Sequence, residues 1–161
     1  MVVTSDRTTI KAATQALVAG LRGNLVAEPP TAARPFRGVH DGPLDATGFP
    51  RPYLAVWVAD AVPVATTDDD KIMRVTTGLT VVTDIVGPDP HDAILDAVGA
   101  VDDYLDGIID AGVIEGAEGF DDRAWTLDYP PTTTGPRVGG AHATATFIVK
   151  VQRGQNIVPG T

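Results

Sequence analysis

The sequence has no cysteine, one serine and no long apolar run among its 161 residues. Without cysteine, the chain has no disulfides, thiolate metal ligands or cysteine nucleophile. Ser5 lies outside any Gly-x-Ser-x-Gly motif, so the sequence does not predict a serine hydrolase. No stretch approaches the roughly 20 apolar residues that cross a bilayer, and the first residues lack the pattern of a signal peptide. We therefore expect a soluble chain made in the cytoplasm, with no membrane partner.

Basic residues are also scarce. Lysine and arginine number 12 against 21 aspartates and glutamates, which gives a net charge of −9. Nucleic-acid binding by phosphate neutralisation needs clustered cations, so this balance argues against it. The charge has two readings: it keeps the protein in solution, or it repels DNA that passes close to the surface. Composition alone leaves both readings open.

Apolar residues make up 43% of the sequence, the share of an ordinary globular protein. At this length we expect a single domain over residues 1–161 with a real core. Two segments stand apart from that core. Frequent prolines predict an irregular insertion at about residues 25–52, and residues 154–161 are predicted to form a flexible C-terminal tail.

The clearest folding signal lies between Lys71 and Ile109. Alternate residues from Met73 to Ile85 are apolar or threonine, which predicts one face of a strand over residues 71–86. After the turn at residues 87–90, apolar residues recur at spacings of three and four, which predicts an amphipathic helix. Its stripe consists of Ile94, Val98, Val101, Leu105 and Ile108. This unit places an apolar helix stripe beside an apolar sheet face.

Four other segments complete the predicted fold. They are a helix from Ser5 or Asp6 to about Arg22 and strands at Tyr53–Val62, Arg123–Tyr129 and Ala141–Arg153. The Tyr53–Val62 strand is apolar on both faces and is expected to be covered on both. A short polar link joins it to the strand at Lys71, which predicts an antiparallel hairpin. The predicted class is α+β: two helices on one face of a four-stranded, mainly antiparallel sheet, in the order helix, hairpin, helix, hairpin.

No set of residues in the sequence predicts a reaction. The histidines His40, His91 and His142 have no local metal-ligand spacing. The acidic runs at residues 68–70 and 121–122 lack the alternating oxygens and tight glycine of a calcium loop. The sequence also lacks a phosphate-cradling loop and a dinucleotide fingerprint. We therefore predict that the chain is not an enzyme and takes no cofactor.

The order of the segments carries a family resemblance. The first helix is followed by the strands Tyr53-Leu54-Ala55-Val56-Trp57-Val58 and Arg74-Val75-Thr76-Thr77-Gly78-Leu79-Thr80-Val81-Val82-Thr83, the helix opening Asp92-Ala93-Ile94-Leu95-Asp96-Ala97-Val98, and the strand Ala143-Thr144-Ala145-Thr146-Phe147-Ile148-Val149. Over about residues 10–153 this architecture resembles the tail-terminator, or tail-completion, proteins of long-tailed phages.

The resemblance implies a structural protein of the virion tail and neck, made in the cytoplasm of the host bacterium. It implies a homo-hexameric ring that caps the tail tube protein and stops further polymerisation of the tube. The other side of the ring would meet a head-tail connector or head-completion protein. DNA would pass through the lumen without specific binding, and an acidic lumen would not hold its phosphates.

Candidate contact residues follow from expected exposure in a hairpin tip, a loop and the tail. They are Thr66, Thr67, Asp68, Asp69, Asp70, Thr132, Thr133, Thr134, Arg137, Gln155, Asn156, Ile157 and Val158. Asp102, Asp103 and Asp106 of the second helix are candidates for a DNA-repelling lumen. Two alternatives stay open: another neck component, or a small-ligand-binding or enzymatic α+β domain with the proline-rich segment as a lid.

Overall fold

The computed structural model describes residues 6–42, 49–66, 70–85, 91–108, 111–112, 117–120, 123–129 and 137–152. These ranges contain the elements α1 Asp6–Leu25, β1 Gly38–Asp41, β2 Tyr53–Thr66, β3 Asp70–Ile85, α2 His91–Ile108, β4 Ala117–Phe120, β5 Thr126–Asp128 and β6 Arg137–Gln152. Within these ranges, neither helix is long and apolar enough to cross a membrane.

The six strands form one mixed sheet in the order β1-β2-β3-β6-β4, with β5 also paired to β6. β1 is parallel to β2, and the other pairs are antiparallel. The predicted four-stranded, mainly antiparallel sheet in the order helix, hairpin, helix, hairpin is therefore wrong. β1 and β4 have only four residues each, too few for an alternating pattern to be recognised. β1 runs parallel to β2, with Gly38 opposite Tyr53 and Asp41 opposite Val56.

The core lies on one face of this sheet, because side chains alternate between the two faces of a strand. Buried residues of β3 and β6 on that face are Met73, Val75, Leu79, Val81, Ala141, Ala145, Phe147 and Val149. α1 contributes Leu17 and Leu21 to the same cluster, and α2 contributes Ile94, Val101 and Leu105. Fully burying one such side chain stabilises the fold by about 1.5–3 kcal/mol. The core fixes both helices against the sheet.

β6 begins at Arg137, four residues before the predicted strand. Gly139 and Gly140 precede the predicted start of this strand at Ala141 but belong to it in the structure. Gly140 pairs with Val82, and a Cβ atom at this position would overlap the carbonyl oxygen of Val81. Glycine is therefore required here for the close approach of two backbones, not for a turn.

The opposite face of the sheet carries more polar side chains, among them Thr80, His142 and Thr144. The Trp57 indole lies over Gly78, where a Cβ atom would overlap the ring. The hydroxyls of Thr76 and Thr146 lie 3.2 Å apart across the β3–β6 pair. Neither helix belongs to this face, since the core cluster that contains both helices is formed on the other one. The sheet thus has one helix-covered face and one face free of described helices.

Candidate functional site

The first half of β2 is buried, and its second half is the main exposed part of the sheet. Tyr53–Val56 lie between β1 and β3 and are buried. Residues 58–66, called the edge segment below, pair with β3 on one side and with no described strand on the other. Val58 is 38% exposed and Val64 is 47% exposed. The prediction that both faces are covered is wrong from Val58 onward, because the residues there are exposed or half-buried.

The edge segment is not a regular strand edge. Its pairing with β3 shifts register between Val58 and Asp60 and again between Pro63 and Ala65. Pro63 has no backbone N–H to offer an added strand. Bulges, proline and an exposed charge are the features by which free edges avoid indiscriminate pairing. The exposed valines are therefore better suited to packing against the side chains of a partner than the backbone is to pairing with an added strand.

The predicted hairpin tip lies at the end of the edge segment. Thr66 is the last residue of β2 and is exposed, and Asp70 is the first residue of β3 and is half-buried. The Asp70 carboxylate lies 3.2 Å from the Lys150 ammonium on β6. Thr67, Asp68 and Asp69 lie outside the described residues. The ion pair ties the beginning of β3 to the end of β6.

The other predicted contact residues divide in two groups. Arg137 opens β6, pairs with Ile85 and is mostly buried. Its predicted place in an exposed loop is wrong, because the strand starts earlier than its glycines suggested. Thr132, Thr133, Thr134, Gln155, Asn156, Ile157 and Val158 lie outside the described residues.

The acidic residues of α2 are partly engaged by a buried cation. The Arg123 guanidinium has 4% side-chain exposure and donates hydrogen bonds of 2.6 Å to each of the carboxylates of Asp102 and Asp106. The Trp125 indole N–H also donates to Asp102, at 3.0 Å. Burial alone would lower the pKa of Arg123, but the hydrogen bonds and charges of the two aspartates outweigh it and raise that pKa. Asp103 is exposed.

This cluster fixes the chain before β5 onto α2. It also neutralises part of the negative charge predicted for the surface of this helix. Two of the three candidate lumen aspartates share one buried positive charge, so only Asp103 presents its charge to solvent without the Arg123 pairing. Sequence reasoning missed Arg123 and Trp125, which lie 21 and 23 residues from Asp102. A local pattern gives no signal for such a distant pair.

The Asp102→Asn variant is expected to lower the free energy of unfolding by about 1.5–3 kcal/mol, the scale of a lost hydrogen bond to a charged group. Asparagine still accepts from Trp125 but leaves Arg123 with one carboxylate. The neighbouring Asp103→Asn variant is the control and is expected to change stability by less than about 0.5 kcal/mol. Urea denaturation of both variants measures the difference, and equal losses would contradict the pairing of Arg123 with Asp102.

A groove of about 560 Å³ lies between the end of α1 and the outer side of α2. Its lining includes Leu25, Leu95, Gly99, Ala100 and Tyr104, with the acidic residues Asp96 and Asp103 along α2. Leu95 is 49% exposed. Burial raises the pKa of Tyr104 against the opposing influence of the nearby Asn24 side chain. The groove therefore has a mixed lining of apolar, acidic and amide side chains.

A second depression, of about 530 Å³, lies where β1 ends, between the first turns of α1 and the start of the edge segment. Ile10, Lys11, Asp41, Trp57 and Val58 are among its lining residues. One cation and one carboxylate at this open position do not form an arrangement for acid–base or nucleophilic chemistry.

The three histidines contact different residues, and the His91 ring lies 4.9 Å from the ring of Tyr129. His142 lies 3.3 Å from the carboxylate of Asp128, with both side chains largely exposed. His40 contacts Phe49 and Tyr53, and its pKa is lowered by burial and by the charge of Arg22. Among the residues that the structure describes, no three His, Asp or Glu side chains are grouped so as to hold a metal ion.

Comparison of the sequence with protein families and with curated proteins gives no match.

The groove between α1 and α2 was not predicted from the sequence. The sequence signal for the groove was the presence of Leu95 and Tyr104 outside the buried stripe of α2.

Proposed function

We propose that the chain is a structural virion protein that forms a hexameric ring, caps the tail tube and joins it to the neck. In this proposal the ring stops tube polymerisation, contacts a head-tail connector or head-completion protein on its other side, and passes DNA without binding it specifically. The proposal rests on the resemblance of the segment order to tail terminators, and the structure adds one observation in its support.

That observation is the edge segment. Apolar side chains on an exposed strand are unfavourable in water and mark a surface for protein contact when they are contiguous. Pro63, Val64 and Ala65 are consecutive and exposed, and they lead directly to the hairpin tip. A terminator needs such a feature, because it must contact both its neighbours in the ring and the tube below.

The mass of the purified chain tests the ring. Sedimentation or light scattering is expected to give a particle of six times the 16.8 kDa chain mass, in solution or on tube ends. A monomer under both conditions would contradict the proposal. Thermal shift with metals and nucleotides tests the enzymatic alternative, which a marked rise in melting temperature would favour.

Tail length tests the capping function. In the phage that encodes the chain, deletion of residues 66–70 is expected to give abnormally long tails or none, because the tip would no longer seat the ring on the tube. A matched variant that replaces these residues by glycine and serine at equal length separates the loss of side chains from the shortening of the hairpin. Tails of normal length in both variants, measured by electron microscopy, would argue against the role of the tip.

A further inference from the structure

We propose that His40 makes one corner of the sheet sensitive to protons: the contacts of its ring with Phe49 and Tyr53 stay closed while the ring is neutral and open in mild acid. These three residues are called the aromatic corner below. The inference concerns contacts within one chain, so it holds whether or not the chain forms a ring.

The aromatic corner lies on the face of the sheet that lacks a described helix. Leu54 and Val56 of β2 belong to the helix-covered core. Tyr53 and Ala55 alternate with them along the strand and therefore lie on the opposite face. Tyr53 is nevertheless only 1% exposed and Ala55 only 2% exposed. Their cover on this face must come from another part of the chain.

The cover that the structure describes is aromatic. β1 places His40 opposite Ala55. The centroid of the His40 ring lies 4.2 Å from that of Phe49 and 5.7 Å from that of Tyr53. The Phe49 and Tyr53 centroids are 6.0 Å apart. Each ring thus contacts the other two, and displacement of one ring uncovers its neighbours.

The Nε2 atom of His40 is buried in this corner. Neither this atom nor the buried Tyr53 Oη has a hydrogen-bond partner in the described part of the chain. A neutral imidazole can leave one ring nitrogen without a proton, whereas a protonated imidazole carries an N–H donor on both nitrogens. Protonation would therefore place a positive charge and an N–H without an acceptor in a buried position, which is unfavourable.

The charged groups around His40 do not compensate for a second positive charge. On the α1 side, the Arg22 guanidinium donates a hydrogen bond of 2.8 Å to the carbonyl of the residue before His40. Burial, and then the charge of Arg22, lower the pKa of His40. The next residue, Asp41, lines the depression at the end of β1. Among the described residues, no carboxylate forms a hydrogen bond or ion pair with His40.

The charges on the β2 and β3 side are also engaged elsewhere. Arg51 lies just before β2, and its guanidinium pairs with the Asp84 carboxylate of β3 at 2.8 Å. Burial raises the pKa of Tyr53 against the opposing charge of Arg51, so the Tyr53 hydroxyl stays neutral in mild acid. His40 is therefore the group of the aromatic corner that changes its charge in this pH range.

The closed corner loses stability as the pH falls. The pKa of His40 in the closed corner lies below its ordinary value of about 6.5, so the open state binds a proton more readily. Above about pH 6.5 both states are neutral, and the closed corner keeps its full stability. Below that pH the open state gains by up to about tenfold for each pH unit, until the closed state also takes up a proton.

Hydrogen exchange of the full chain between about pH 7.5 and pH 5.5 tests the inference. The reporters are the Gly42 N–H, which donates to the Val56 carbonyl, and the Arg37 N–H, which donates to the Pro52 carbonyl. Protection of both is expected to fall by up to about tenfold at pH 5.5. The fall should follow the titration of the His40 ring measured by NMR, and both amides should exchange faster than those of the β3–β6 pair.

Two substitutions remove the titrating nitrogen. His40→Phe keeps a ring in the aromatic corner, and His40→Leu serves if the larger phenyl ring does not fit beside Gly38. In each variant the ratio of protection at the two pH values is compared, and it is expected to stay near one. His142→Gln is the matched control, because His142 is largely exposed, and it is expected to show the same fall as the unchanged protein.

Three results would overturn the inference. The first is a fall in protection that persists in both His40 variants. The second is a His40 ring that titrates without any change in the exchange of the Gly42 and Arg37 amides. The third is exchange of these amides at the same rate as those of the β3–β6 pair, since that would show unfolding of the whole chain and no local opening.

Discussion

Replacement of Leu105 by alanine is expected to lower the free energy of unfolding by about 2–5 kcal/mol, the usual cost of emptying a buried leucine site. Leu105 is 1% exposed and packs from α2 against the sheet. Leu95→Ala on the same helix is expected to change stability by less than about 0.5 kcal/mol, because Leu95 is already in contact with water. Urea denaturation followed by circular dichroism measures both variants.

This pair tests the orientation of α2 with the same chemical change at two positions ten residues apart. Both variants remove the same atoms and have the same change in helix propensity, so a difference between them reports burial alone. Similar losses for the two variants would mean that Leu95 is also covered in the isolated chain, which would contradict an open groove. Measurement at several protein concentrations separates burial within one chain from burial between copies.

Replacement of Gly140 by alanine is expected to cost about 1–3 kcal/mol, the range for overpacking a filled site. The added Cβ would overlap the carbonyl oxygen of Val81, a backbone atom of β3. A side chain could rotate away, but this oxygen cannot move without disturbing the pairing of β3 with β6. The loss is expected as a lower midpoint of urea denaturation.

Gly23→Ala is the control for this change. Gly23 lies in α1, and a Cβ atom there would meet nothing within 4 Å. Alanine is favoured over glycine in a helix interior by up to about 1 kcal/mol, and the position near the end of α1 makes the gain smaller. The two substitutions should therefore have opposite signs. A neutral Gly140→Ala variant would contradict the close approach of the two strands.

Long periodic segments were predictable from the sequence, and short ones were not. The alternation from Met73 to Ile85 and the three-four spacing from Ile94 to Ile108 correspond to β3 and α2. β1 and β4 complete the sheet through backbone pairing with longer strands, so their own side chains carry little of the signal. This is why the number of strands and the parallel pair were missed.

The predicted contact surface was limited by the same cause. The polar sequence of the hairpin tip predicted exposure, since unpaired carboxylates are not buried, and Thr66, the first residue of the tip, is exposed. The exposed half of β2 could not be foreseen, because its residues are mostly apolar, like those of the buried half. Likewise, the engagement of Asp102 depends on Arg123, which approaches α2 only through the folded chain. The local sequence shows whether a side chain is polar or apolar. Contacts with residues distant in the chain decide whether it is buried, exposed or ion-paired.

The pairing of β3 with β6 has a mechanical consequence. All 16 residues of β3 pair with β6 in one uninterrupted antiparallel register, from Asp70–Gln152 to Ile85–Arg137. The hydrogen bonds of such a pair lie across the strands. A pull on the hairpin tip along the strand axis therefore loads these bonds together in shear, in contrast to a peeling force that breaks them one at a time. The β3–β6 pair is therefore expected to resist a force applied to the hairpin tip along the strands.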